Sequence, residues 1–248
     1  MEQLVTSRKN PQLQLIRKLI RSRAERRKQG LYVADGTKLL EEALKWAPPE
    51  LIVLAEGVEV ASIPEMCRVL RVPMDVMESI SPMETPQGAV FVGKIPPMED
   101  FTPQPGSLIL DGIQDPGNLG TILRTADALE VPVILGDGCA DPYNPKTIRA
   151  SMGAVFRTPP VSAAQEDILG AFSERKIPIY AAALTEQAVD LRQVALHKSA
   201  AVIGSEGQGV NPDFLARCHG QIIIPMNSRC ESLNAAVAAT IVMWQMKI

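Results

Sequence analysis

The sequence predicts an α/β protein: a mostly parallel C-terminal sheet with helices on either side, preceded by a smaller α/β domain. Three observations point there. From Ser107 onward, short apolar runs ("SLIL", "VPVILG", "IPIYAAAL", "SAAVIG", "QIIIP") alternate with helical patterns. Strands that are apolar on both faces belong inside a parallel sheet. From Gly30 to about Lys94 a shorter alternation recurs, enough for a small α/β unit. Between the two, "PPMEDFTPQPG" carries Pro96, Pro97, Pro103 and Pro105 with almost no apolar periodicity, as a semi-rigid connector does. The expected division is therefore a domain over 1–95, a linker over 96–106 and a domain over 107–248.

Taken in order, "PQLQLIRKLIRSRAERRKQG" reads as one helix, with Leu13, Leu15, Ile16, Leu19 and Ile20 as its apolar stripe. Arg8, Lys9, Arg17, Lys18, Arg21, Arg23, Arg26, Arg27 and Lys28 crowd around it against a single Glu25. Such a cluster is a candidate phosphate-facing surface, although an ordinary solvated helix face fits the same run. The first domain continues through "LYVADG", "TKLLEEALKWA", "ELIVLAEG", "PEMCRVLR" and "GAVFVGKI". After the linker come the strand "SLIL", a helix from about Asn118, the strand "VPVILG", a helix opened by Asn144 and Pro145, and "AVFRTPPV" read as a strand. A helix around "DILGAFSERK", two strands, a short helix opened by Asn211 and Pro212, the strand "QIIIP" and a last helix from Ser232 complete the chain. That last helix, Ala235 to Trp244, is apolar nearly all round and must be covered on every side, by its own domain or by a second copy of the chain.

Composition narrows the classes. The chain has 248 residues, an apolar fraction near one half and a net charge of −3, so overall charge gives no hint of nucleic acid. "MEQLVTSRKN" lacks a signal pattern, and "LNAAVAATIVMW", interrupted by Asn234 and Thr240, is too short to span a bilayer, which leads us to expect a cytoplasmic protein with no membrane partner. Cys67, Cys139, Cys218 and Cys230 form no CxxC pair, and His197 and His219 offer no ligand spacing; reduced structural thiols and no metal are expected.

Ligands of parallel α/β sheets collect in the loops beyond the carboxyl ends of the strands. Three such loops stand out. In "DGIQDPGNLGTILR", Asn118 can cap the helix, Leu119, Ile122, Ala126 and Leu129 form its buried stripe, and Gly120 and Arg124 lie four apart on another face. Gly120, expected in the first turn, costs about 1 kcal/mol relative to alanine and so calls for close approach of another group. Taken alone, Arg124 also fits a surface arginine paired with Asp127. In "VIGSEGQGV" a buried strand runs into Gly204, Gly207 and Gly209 around Glu206; three glycines let main-chain groups face a ligand, while plain turn chemistry fits as well. Its spacing is neither a Walker loop nor GxGxxG, which counts against a nicotinamide-dependent oxidoreductase. In "IIIPMNSRCESLNAAVAAT" a strand ends at Pro225, and Ser232 and Asn234 open a helix otherwise apolar, as binding groups or as simple caps.

Together the three loops resemble the signature motifs of the SpoU (TrmH-like) family of RNA ribose 2'-O-methyltransferases, in the SPOUT superfamily: "NLGTILR", "GSEGQG", and "IPM" followed by "ESLNAAVAA". "ASMGAVFRTPPV" resembles the family too, and the N-terminal half, from "SRKNPQLQLIRKL" through "YVADGTKLLEEAL" to "TPQGAVFVG", resembles its substrate-binding domain. Two departures stand out: Asp35 where a glutamate is usual, and "MNSRCES" where the loop is often richer in glycine.

The resemblance implies an enzyme that transfers a methyl group from S-adenosylmethionine to a ribose 2'-hydroxyl in structured RNA, ribosomal more than transfer RNA. It implies a trefoil knot in the C-terminal domain and a homodimer through the last helix. Main-chain groups at Gly204, Ile224 and Leu233 would contact the adenine, with Glu206, Gly207 and Met226 lining the pocket. Arg124 would activate the hydroxyl; a guanidinium is hardly ever deprotonated, so its part is to fix the RNA phosphate and stabilise the developing alkoxide, with that phosphate as a candidate proton acceptor. Asn118, Glu206, Ser232 and Asn234 would orient Arg124 and the ribose. Under this resemblance the RNA-contacting residues are Arg8, Lys9, Arg17, Arg21, Arg26 and Arg27. The alternative from another class is a non-catalytic RNA-binding or ribosome-assembly protein that keeps the same fold.

Overall fold

The computed structural model describes residues 2–97, 101–227, 229 and 231–248. The first stretch holds β1 (Glu2–Leu4), α1 (Pro11–Arg21), α2 (Arg23–Gln29), β2 (Leu31–Asp35), α3 (Thr37–Trp46), β3 (Leu51–Ala55), β4 (Arg68–Val72), α4 (Met74–Glu78) and β5 (Ala89–Lys94). It is followed by β6 (Leu108–Asp111), α5 (Pro116–Ala128), β7 (Val133–Leu135), α6 (Pro145–Ser151), α7 (Ala154–Arg157), β8 (Val161–Ser162) and α8 (Gln165–Glu174). The chain ends with β9 (Ile179–Ala182), β10 (Val189–Asp190), two short 3₁₀ turns, β11 (Ala200–Gly204), α9 (Pro212–Arg217), β12 (Gly220–Ile223) and α10 (Ala235–Gln245).

These elements form two compact units, Met1–Pro97 with Asp141–Pro159, and Met98–Ala140 with Pro160–Ile248. The segment 141–159, placed by sequence in the second domain, therefore joins the first by its contacts. In the first unit a five-stranded sheet runs β1-β4-β3-β5-β2, with β2 and β3 antiparallel to β5 and the rest parallel. Alternate residues of each strand serve opposite faces. Val33, Val53, Leu70 and Val90 meet Leu13, Ile16 and Leu19 of α1 and Met77 of α4. Ala34, Ile52, Leu54 and Phe91 meet Leu39 and Leu40 of α3, and also Tyr143, Ile148, Val155 and Phe156. Those last four fill a face that α3 alone leaves open.

The second unit is a seven-stranded, wholly parallel sheet in the order β10-β12-β9-β11-β6-β7-β8. Leu108, Leu110, Ala201 and Ile203 pack on one side against Leu119, Ile122 and Leu123 of α5 and Ala239, Val242 and Met243 of α10. Ile109, Ile134, Ala181 and Val202 pack on the other against Ile168, Leu169 and Phe172 of α8 and Phe214 of α9. Each fully buried Leu, Ile or Phe here contributes about 1.5–3 kcal/mol of transfer free energy. The α/β class and the parallel sheet are as the sequence predicts.

Several local expectations are corrected. The basic N-terminal helix is two helices, because Ser22 ends α1 in extended backbone and then caps α2, its hydroxyl accepting from the Glu25 N–H. "AVFR" is helical, not extended, since Gly153 turns the chain into α7; only Val161 and Ser162 make the strand. The helix of the first motif begins at Pro116 with Asp115 as its cap, so Asn118 lies inside the first turn and Gly120 in the second, buried. The last helix starts at Ala235, with Asn234 as its N-cap and Ser232 two residues outside. Among the described residues no helix is long and apolar enough to cross a membrane. Cys67, Cys139 and Cys218 form no disulfide, and burial pushes all three thiols up, Cys218 to about 12; Cys230 lies outside the described residues.

Candidate functional site

The three motif loops leave the carboxyl ends of β6, β11 and β12, and β11 and β6 are direct neighbours with Gly204 opposite Asp111. After β6, the Asp115 carboxylate accepts from the Asn118 N–H at 2.8 Å and fixes the first turn of α5. After β11 the chain folds back on itself: Ser205 and Gly209 exchange two backbone hydrogen bonds, of 3.0 and 2.9 Å. A Cβ on Gly204 would lie 2.0 Å from the Gly209 carbonyl carbon, so only glycine fits. Gly209 holds φ at +68°, a left-handed conformation that glycine adopts without strain. Just beyond, Asp111 accepts from the Asn211 N–H at 2.6 Å, tying the exit of this loop to β6, and burial raises the Asp111 carboxyl above its usual range.

After β12 the chain reaches α10, whose Asn234 Oδ1 accepts from the N–H groups of Ala236 and Val237 at 3.0 and 3.3 Å. Its amide is left to reach across. One oxygen of Glu206 accepts from Asn118 Nδ2 at 2.7 Å, from Asn234 Nδ2 at 2.7 Å and from the Ala235 N–H at 3.2 Å. Asn234 Nδ2 also donates to Asn118 Oδ1 at 3.0 Å. Three segments far apart in sequence thus meet on one carboxylate. Hydrogen bonds to an ionised acceptor are the stronger kind, and the first turn of a helix favours a negative charge.

Beside this junction opens a cavity of ≈ 430 Å³. Its walls include every residue that the sequence assigned to cofactor contact: Gly204, Glu206, Gly207, Ile224, Met226 and Leu233, together with Ser232. Ala183, Leu184 and Thr185, which follow β9, also line it and were missed by sequence. They carry no marked side chain; the rule that ligands gather at carboxyl ends of parallel strands was the available signal. The volume suits a small molecule, the walls are mainly apolar, and the glycine-bearing loop presents main-chain groups to it. These features fit a flat heterocycle with a polar tail such as S-adenosylmethionine.

Arg124 is exposed on α5, and among the described residues none accepts a hydrogen bond from its guanidinium. Of the six basic residues assigned to RNA contact, Arg8, Lys9, Arg21 and Arg27 are exposed. Arg8 pairs with Asp75 at 2.9 Å, and Arg17 donates to the Ser79 carbonyl and hydroxyl and to the Arg8 carbonyl. Arg26, grouped by sequence with the RNA-facing residues, is buried at 3% exposure. It donates twice to the Asp141 carboxylate, at 2.6 and 2.8 Å, and to the carbonyls of Leu19 and Ile20, so its charge is spent inside the unit.

Comparison with known proteins agrees with this architecture. Residues 106–244 match the SpoU rRNA Methylase family and residues 10–90 the MRM3-like substrate binding domain. The chain is 32% identical to the 23S rRNA (guanosine(2553)-2'-O)-methyltransferase RlmP of Bacillus subtilis, over 98% of both chains. It is 27% identical to the mitochondrial rRNA methyltransferase 3 of Mus musculus, over 92% of this chain and 70% of that one. The AdoMet-bound rRNA methyltransferase of Sinorhizobium meliloti superposes with a TM-score of 0.86 at 29% identity, covering 99% of this chain and 97% of the other. Fold and site together define an RNA methyltransferase built from a substrate-binding unit and a parallel α/β unit. The chain belongs to the SpoU rRNA methylase family.

Proposed function

We propose that this protein transfers a methyl group from S-adenosylmethionine to a ribose 2'-hydroxyl of structured RNA, ribosomal RNA ahead of transfer RNA. The observation that carries the reading is the junction of Asn118, Glu206 and Asn234, whose Glu206 also lines the ≈ 430 Å³ cavity. When bound, S-adenosylmethionine supplies an electrophilic methyl on a sulfonium. The chain's own residues then have three tasks. Main-chain groups around Gly204, Ile224 and Leu233 hold the adenine, while Glu206, Gly207 and Met226 close the walls and exclude water. Asn118, Glu206, Ser232 and Asn234 keep the three loops in register so that the ribose oxygen faces the methyl in line. Arg124 fixes the neighbouring RNA phosphate and stabilises negative charge developing on that oxygen.

The same reading assigns 1–95 to RNA binding through Arg8, Lys9, Arg17, Arg21 and Arg27, 96–106 to a linker and 107–248 to the methyltransferase domain. It includes a trefoil knot in that domain, a cytoplasmic location and a homodimer through α10. Support for the dimer comes from Val237 and Trp244, which leave 47% and 59% of their surface exposed on an otherwise apolar helix.

The test is transfer of a labelled methyl group from S-adenosylmethionine to fractionated total RNA, followed by mapping of the alkali-resistant linkage. Label in such a linkage of ribosomal RNA is the expected result. Label on a base, or no label in any RNA fraction, contradicts the proposal.

A further inference from the structure

The first unit contains a second cavity, of ≈ 360 Å³, that none of the roles above uses. Asp35, at the end of β2, is a buried carboxylate in its wall. Ile20, Pro82 and Pro145 supply apolar sides, and the exposed Lys146 and Arg149 of α6 stand at its edge. The carboxylate is held firmly: one oxygen accepts from the Ser81 hydroxyl at 2.6 Å, and the Gln87 backbone N–H also bonds to it. The same Ser81 hydroxyl accepts from the Met83 N–H, so the turn over 81–83 and the carboxylate are positioned together. Arg149 reaches the Met83 sulfur across the cavity edge; burial raises the Asp35 carboxyl above its usual range, and the Ser81 hydroxyl and the nearby Arg149 offset part of that rise.

A buried carboxylate is costly unless its acceptor sites are filled. Each oxygen has room for two donors, and the contacts above leave that capacity partly unused. The cavity has isoleucine, methionine and proline side chains on its apolar sides, a carboxylate acceptor on its wall and cations at its edge. That combination matches a nucleotide with a planar base, adjacent N–H donors on one edge and a phosphate outside. Guanine alone among the four RNA bases presents two adjacent donors, N1–H and N2–H₂, on its Watson–Crick edge; adenine offers an acceptor at N1. Sequence-specific RNA recognition is concentrated on such unpaired bases.

We infer that this cavity captures an unpaired guanine of the RNA substrate, with Asp35 accepting from its N1–H and N2–H₂ and with Arg149 and Lys146 on its phosphate. The inference rests on the reading that the chain binds RNA, but not on methyl transfer or on S-adenosylmethionine. Asp35 is thus a specificity residue for the bound RNA, remote in role from the transfer step.

The experiment measures binding of the full chain to fluorescein-labelled RNA hairpins by anisotropy, without S-adenosylmethionine. The probes carry one guanosine, one inosine or one adenosine in an otherwise all-uridine loop. A bidentate base contact corresponds to roughly tenfold discrimination or more. The expected order is guanosine above inosine above adenosine, with the first and last about tenfold apart. Asp35→Asn should bring that ratio near one while leaving the adenosine hairpin within about twofold of wild type. Arg149→Gln should weaken all three hairpins alike, as a phosphate contact does. Because Asp35 also holds a turn, Met83→Trp, which fills the cavity at its rim, gives a second route: it too should erase the guanosine preference. Equal binding of the three hairpins by the wild type overturns the inference, as does a guanosine preference that survives Asp35→Asn or Met83→Trp. Failure of labelled methyl transfer with the preference intact would sink the proposed activity alone.

Discussion

The two units use charge in opposite ways. In the second, one carboxylate, Glu206, gathers donors from Asn118, Asn234 and the start of α10, and the remaining chemistry is left to glycines and main-chain groups. In the first, many cations share a short stretch, and part of that charge is consumed internally: Arg26 is buried on Asp141, and Arg17 holds the turn at Ser79. A single well-connected charge defines a site, whereas a crowd of charges near one another in sequence does not. What decides is where each side chain's partners lie.

The sharpest way to break this contrast is at Arg124, an exposed cation of the second unit. Arg124→Ala should lower methyl transfer by about a thousandfold, the scale on which a charge-stabilising donor acts, and leave S-adenosylmethionine binding within about twofold. Equal loss of both, measured by single-turnover transfer and by calorimetry, would mean that Arg124 shapes the pocket instead. Next comes Arg26→Ala, which strands Asp141 without its partner. A loss of about 3–5 kcal/mol in urea unfolding is expected, as for any buried pair broken on one side. Were Arg26 an RNA contact, stability would hold and RNA affinity would fall.

A smaller effect is expected at the junction itself. Glu206→Ala removes the shared acceptor, but the bonds from the Asn118 and Asn234 amides lie exposed to water, so stability should drop by only about 1 kcal/mol. Methyl transfer should fall more, roughly tenfold to a hundredfold, because loop misplacement is felt in alignment. Unchanged transfer in a steady-state assay would remove Glu206 from the positioning role. The smallest effect belongs to Arg27→Ala on the exposed basic surface. A few-fold loss of RNA affinity is expected, with the slope of log affinity against log salt reduced by about one. A slope identical to wild type would take Arg27 out of the phosphate contacts.

Legibility in the sequence follows the same contrast. The residues of the second unit's junction stood out because each is chemically out of place: Asn118 and Asn234 at helix starts, Glu206 among glycines. Caps were readable at Asn144–Pro145 and Asn211–Pro212, where the side chains do accept from the N–H groups two residues on. Ser22 was not read as a break, since a serine inside a basic run also fits a continuous helix, and its cap becomes visible only with the extended backbone around it. Arg26 carried no mark in sequence that separates it from Arg27, because its partner Asp141 lies 115 positions away. The affiliation of 141–159 was hidden for a related reason: Tyr143, Ile148, Val155 and Phe156 are apolar in a way that suits either unit, and only packing assigns them. Ala183 and Leu184 lack any distinctive chemistry, so only the folded chain, which places them in the cavity wall after β9, brings them out.

On the proposed reading, the folded-back loop at Gly204 shapes a pocket for S-adenosylmethionine. Titration calorimetry of the cofactor into the wild type and Gly204→Ala tests it directly. The added methyl would collide with the Gly209 backbone at 2.0 Å, and overpacking of that kind costs about 1–3 kcal/mol. Saturable binding at one cofactor per chain, weakened about tenfold or more by the substitution, is the predicted result. Equal affinity of the two proteins, or no heat from the wild type at millimolar cofactor, would contradict it.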